Sequence, residues 1–174
     1  MESRELRDAL NSNCVTRPFF KGVFASDRIP KVPKSSVKKD QFYIFNFDPQ
    51  HKSGSHWVCA MLRPKGKKNV YFDSGGNPPS VPTIKRFVGQ SFVYNTRELQ
   101  FPLSTTCGQW CAFFIWKRCR GKRLKKMVKG FDKKDLLMND HIINFWVRKI
   151  FKINKKVIQK RFLHQQIAKA RKLL

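Results

Sequence analysis

Ser104-Thr105-Thr106-Cys107-Gly108-Gln109-Trp110-Cys111-Ala112-Phe113-Phe114-Ile115-Trp116 follows a polar loop broken by Pro102, and its apolar run is too wide for one face of a surface helix. The pattern predicts a buried helix with Cys107 at its entrance. A thiol there lies among backbone N–H groups that have no intrahelical partner, at the positive end of the helix dipole, which favours thiolate over thiol. Cys107 is therefore a candidate nucleophile. Inert core packing is the alternative, because free cysteine is among the most buried residue types.

Upstream, Gly54-Ser55-His56-Trp57-Val58-Cys59-Ala60-Met61-Leu62 leads through Arg63-Pro64-Lys65-Gly66-Lys67-Lys68 to Asn69-Val70-Tyr71-Phe72-Asp73, an apolar strand, a polar turn and a second apolar strand. If the turn closes with Leu62 facing Lys67, the register runs on as Ala60 with Asn69, Val58 with Tyr71 and His56 with Asp73. Opposed residues share a face with Cβ atoms about 4.5 to 5.5 Å apart, close enough for a carboxylate to orient an imidazole. His56, Asp73 and Cys107, with an amide donor at Gln100, are the parts that thiol acyl transfer needs. His51 is a weaker base candidate, since it precedes the solvated loop Lys52-Ser53-Gly54-Ser55. Both faces of the first strand are apolar, as in a central strand, so Cys59 reads as core.

Gly54-Ser55-His56-Trp57, then Phe72-Asp73-Ser74, then Gln100 seven residues before Cys107-Gly108, resembles the adenovirus maturation protease (adenain) family and its relatives in adintoviruses, adomaviruses and Maverick/Polinton elements. The resemblance covers Pro18 to Trp116 and includes Pro18-Phe19-Phe20-Lys21-Gly22-Val23-Phe24-Ala25-Ser26-Asp27-Arg28-Ile29-Pro30. It implies an α+β, papain-like fold of the adenain and ubiquitin-like-protease type: a central mixed or antiparallel sheet, a buried nucleophile helix and flanking helices. It also implies a cysteine endopeptidase that processes viral or virus-like capsid and core precursors in the virion and host nucleus, with DNA as partner and activator. In that role Cys107 attacks the scissile carbonyl, His56 moves the proton and Asp73 holds the imidazole. The Gln100 amide and the Cys107 N–H would bind the oxyanion. Two departures stand out. Asp73 replaces a glutamate, and residues 89–100 lack the cysteine that tethers adenain's activating peptide, which argues against a covalent peptide cofactor. A deubiquitinase-like isopeptidase and a catalytically inactive DNA-binding packaging protein are the alternative functions.

At 174 residues with 41% apolar and 13% aromatic content, the chain is large and hydrophobic enough to bury a core despite a net charge of +26. It is expected to form a single protease domain, with a basic helical C-terminal third from about residue 117 to 174. Solubility alone asks for a net charge of only about 2 to 8, so a polyanionic partner is expected. From Lys117 onward there are 20 basic and 3 acidic residues. Lys117, Arg118, Arg120, Lys122, Arg123, Lys125 and Lys126 are the candidate nucleic-acid contacts. Five cysteines without C-x-x-C spacing argue against a disulfide framework or a common zinc module, and no metal is expected. No window approaches 18 apolar residues, so no transmembrane association is expected.

Elsewhere the pattern predicts a short helix over Met1–Leu10, irregular structure from Pro18 to Lys39, a strand over Gln41–Phe47, a short helix over Thr83–Val88 and a strand over Ser91–Asn95. Asp132 reads as the N-cap of an amphipathic helix carrying Leu136, Leu137, Ile142, Ile143, Phe145, Trp146 and Ile150. Asn154 reads as the start of a last helix through Val157, Ile158, Phe162, Ile167 and Leu173.

Overall fold

The computed structural model describes residues 1–152. The helix expected from Asn154 lies outside the described residues.

A five-stranded mixed sheet carries the site, built from β1 (Phe20–Phe24), β2 (Gln41–Asn46), β3 (Trp57–Leu62), β4 (Asn69–Phe72) and β5 (Phe92–Tyr94) in sequential order. β2, β3 and β4 pair antiparallel, whereas β1 and β5 add at the edges in parallel to β2 and β4. Among the described residues five α-helices accompany it: α1 (Ser3–Ser12), α2 (Pro82–Val88), α3 (Cys107–Cys119), α4 (Leu124–Lys129) and α5 (Leu136–Phe151). The architecture is thus α+β, as expected.

Side-chain alternation along the central strands divides the core in two. Phe42, Ile44, Cys59, Met61, Val70 and Phe72 face a layer built on α1, α3 and α5. Tyr43, Phe45, Val58, Ala60, Leu62 and Tyr71 face the opposite way and pack with Ile84 and Val88 of α2. Every β3 residue after Trp57 is buried, as its two apolar faces require.

α3 is buried from Cys107 through Ile115, and Phe114 stacks on Phe72 at 4.5 Å between ring centroids. Leu6 and Leu10 of α1 lie in the same core. At Gly108 an added Cβ would sit 3.3 Å from Met1 Cβ and 3.4 Å from Leu6 Cδ1, so the missing side chain is what lets α1 approach the first turn of α3.

Three expectations need correction. The hairpin pairs Cys59 with Phe72, Ala60 with Tyr71 and Met61 with Val70, two residues away from the expected register. A wider turn is the cause: Lys67 N donates to Pro64 O, and the Asn69 side chain accepts from Arg63 N instead of extending the ladder. The stretch from Pro18 to Lys39 contains strand β1, which is not irregular. α5 is capped by Asp135, whose side chain accepts from Met138 N at 2.8 Å, while Asp132 makes a preceding turn by accepting from Lys134 N and Asp135 N. Its buried face is Asn139, Asp140, Ile143 and Val147, whereas Leu137, Ile142, Phe145 and Trp146 are exposed.

Candidate active site

His56 is the residue before β3 and Asp73 the residue after β4, so both emerge at one end of the sheet. Continuing the observed ladder sets Asp73 opposite Val58, one diagonal step from His56. The shift of two keeps the parity of the pairing, and with a side-chain period of two the imidazole and carboxylate stay on one face. His56 Nε2 lies 2.7 Å from Asp73 Oδ1. The same oxygen accepts from Gly75 N at 2.8 Å, and Asp73 is 1% exposed. Asn95 fixes the backbone beneath it, accepting from Asp73 N and donating to Asp73 O.

With Nε2 given to Asp73, Nδ1 is the nitrogen left for the Cys107 thiol. Burial disfavours charge on His56, but the hydrogen bonds and charges of Asp73 and Cys107 outweigh it and raise the imidazolium pKa to about 10. Burial likewise opposes a Cys107 thiolate. The hydrogen bond and charge of His56, the Trp57 backbone N–H and the Met1 ammonium outweigh that too, so the thiol falls below its ordinary value. The other thiols with a shift move the opposite way: burial pushes Cys59 and Cys111 well up and Cys119 to about 12. The pair is thus biased towards thiolate and imidazolium, the state in which a cysteine nucleophile is ready to attack.

Gln100 reaches the site through the loop that links β5 to α3. Ser74 O accepts from Leu99 N and Gln100 N, and Ser74 Oγ donates to Gln100 Oε1 at 2.6 Å. Gln100 Nε2 donates to Ser104 O at 3.0 Å, which leaves its second amide hydrogen available. The residue after the acid therefore orients the amide. Gly76 permits this seam: its φ is +78°, and an added Cβ would fall 2.5 Å from Arg97 C and 2.6 Å from Glu98 N.

A cleft of about 490 Å³ opens beside His56 and Asp73, walled by Phe47, Gly75, Asn77, Pro78 and Ser80. Phe47 holds the imidazole edge-on, with ring centroids 5.0 Å apart. His51 lies exposed in the preceding turn. Among the described residues no three His, Cys, Asp or Glu side chains gather as a metal site would require.

The basic candidates differ in exposure. Arg118 is half-buried, donating to Lys122 O and Met61 Sδ. Lys117 Nζ lies over the rings of Phe113 and Trp116, and Arg120 covers Trp116 from 4.9 Å. Arg120, Lys122, Arg123, Lys125 and Lys126 are exposed beyond the C-terminal end of α3.

Ser74, Asn95, Ser104, Thr106 and Asp140 are buried supports that the sequence reading missed. A solitary acid on the α5 stripe, in a strongly basic region, was the one available signal. The geometry defines an α+β protein with a Cys-His-Asp constellation at the end of a mixed sheet. No family model matches the chain, and no curated protein matches it. Among the described residues no helix is long and apolar enough to cross a membrane.

Proposed function

We propose that the chain is a cysteine endopeptidase of the adenain type, with a papain-like arrangement, that processes viral or virus-like precursor proteins in the virion and host nucleus. The observation that carries this reading is the coupling of Asp73, His56 and a Cys107 thiol with lowered pKa at the start of a buried helix. Cys107 attacks the scissile carbonyl. The imidazolium then protonates the leaving amine, and neutral His56 activates the water that hydrolyses the thioester. Asp73 keeps the imidazole oriented throughout. Gln100 Nε2–H and the Cys107 N–H stabilise the oxyanion, where one donor is worth about 10² to 10³ in rate in other enzymes. Relatives in the resemblance prefer small residues, often glycine, near the cut, and DNA acts as their activator. Exposed cations at the far end of α3 support a DNA partner here.

The test is incubation of candidate capsid precursors with wild type and with Cys107→Ala, beside a ubiquitin-like fusion substrate. Cleavage of precursors by wild type alone supports the reading. Cleavage confined to the ubiquitin-like fusion would replace it with an isopeptidase, and cleavage by neither protein would remove the catalytic role.

A further inference from the structure

Asp140 is a buried carboxyl group that the triad chemistry does not use. α5 carries it beside Asn139 and one turn before Asn144, on the face that Ile143 and Val147 turn to the core. Three neutral donors converge on it: Thr106 Oγ1 at 2.6 Å and Trp110 Nε1 at 2.7 Å on Oδ1, and Phe101 N at 3.1 Å on Oδ2. An ionised carboxyl accepts without donating, so three donors are a matched set. Two belong to the start of α3, and the third belongs to the residue after Gln100.

Thr106 is the N-cap of α3. Its hydroxyl would ordinarily accept from the backbone N–H two or three residues on. It makes no such bond: it donates to Asp140 and lies 2.9 Å from Ser104 Oγ. The capping side chain is thereby not spent on the first N–H groups of α3. Ser104 closes the circuit, since its carbonyl accepts from Gln100 Nε2.

We propose that Asp140 is a positioning residue for acyl transfer: it fastens the Gln100 loop to the first turn of α3, so that the Gln100 amide and the Cys107 N–H converge on one oxygen. The inference rests on the peptidase reading of this site. Asp140 touches neither substrate nor thiol; it acts through Phe101, Thr106 and Trp110.

Asp140→Asn separates this role from general support. The remaining Asn oxygen can keep Thr106 and Trp110, while its NH₂ group is set against the Phe101 N–H, so the loop tether alone is cut. Three measurements on the full chain decide the matter: kcat and KM on a cleaved precursor peptide, affinity for the matching peptide aldehyde, and the rate of Cys107 alkylation by iodoacetamide. Alkylation needs the thiolate but no oxyanion donor. The expected result is kcat lower by about tenfold or more, aldehyde affinity lower in parallel, KM within about twofold and alkylation within about twofold of wild type, in keeping with the steep dependence of rate on placement. Equal kcat in variant and wild type would overturn the inference and leave the peptidase reading standing. Parallel loss of alkylation and kcat would make Asp140 a structural support only. Thr106→Val removes one of the three donors to Asp140 and should lower kcat without slowing alkylation, which tests the same link if Asp140→Asn fails to fold. A wild type that cleaves nothing, with Cys107 alkylated no faster than Cys14, would remove the peptidase reading and this inference together.

Discussion

At the scale of single residues, position decides which of five thiols can react. Cys59, Cys111 and Cys119 are raised by burial, whereas Cys107 is lowered by His56 and nearby donors. Cys107→Ala is expected to abolish cleavage, while Cys14→Ala and Cys119→Ala keep most of it; full activity in purified Cys107→Ala would end the mechanism. Gln100→Ala should lower kcat by about 10² with little change in KM, since its donor matters where negative charge develops. A change confined to KM would make Gln100 a substrate-binding residue instead. The competent pair is thiolate with imidazolium, so the pH dependence has two limbs. Activity should rise with pH as Cys107 ionises, below the thiol's ordinary 9.0, and fall as His56 loses its proton near pH 10. As the two groups interact, the limbs report the pair. Asp73→Asn takes away the carboxylate that raises His56 and should draw the alkaline limb down by a unit or more, roughly. An alkaline limb unmoved by that substitution would show that Asp73 does not hold the imidazole.

At the scale of elements, two loops, not two strands, carry the site's precision. The turn after β4 and the loop after β5 are joined through Ser74 O, Ser74 Oγ and the close approach at Gly76. Gly76→Ala meets the Arg97–Glu98 backbone and needs a positive φ, so it should cost more than about 1 kcal/mol in stability. It should also lower kcat by displacing Gln100. Denaturant unfolding and steady-state kinetics read the two effects, and wild-type values for both would mean that the seam tolerates a side chain. Legibility in the sequence follows the range of the interaction that fixes each feature. β2, β3, β5 and α3 were legible because their apolar patterns are local. His56 and Asp73 were legible as a pair because an even shift in register preserves the face, although the turn that sets the register was misread. β1 was hidden among prolines and lysines and is recognisable only through its parallel partner. On α5 the apolar residues outnumber the places available in the core, and Asn139 and Asp140 took two of those places, Asn139 by donating to Leu99 O and Asp140 by accepting from Phe101 N and Thr106 Oγ1. No local pattern encodes that choice.

At the scale of the molecule, the chain carries a net charge of +26, and the exposed cations Arg120, Lys122, Arg123, Lys125 and Lys126 follow the C-terminal end of α3, whereas Cys107 lies at its start. Twelve residue steps along α3 at about 1.5 Å each separate them by roughly 18 Å. A polyanion at the basic end therefore need not cover the thiol. The cluster that faces solvent is Arg120, Lys122, Arg123, Lys125 and Lys126, since Arg118 is committed to Lys122 O and Met61 Sδ. Duplex DNA bound there should release counterions, so that log K falls with log salt by about 0.9 per phosphate neutralised. Among the described residues no cluster of His, Cys, Asp or Glu could hold the zinc of a base-reading finger, and binding is expected to be indifferent to sequence. Enzyme and precursor held on one polyanion meet more often without any new contact between them, so DNA should raise the cleavage rate most at low salt. The experiment measures DNA affinity and peptidase rate across a salt series, for wild type and for a variant with Lys122, Arg123, Lys125 and Lys126 changed to alanine. The variant should lose about 3 to 4 from the slope and most of the stimulation, while its DNA-free rate stays at the wild-type level. A full slope in the variant would move the nucleic-acid site elsewhere on the chain, and stimulation that persisted at high salt would rule out the shared track as its cause.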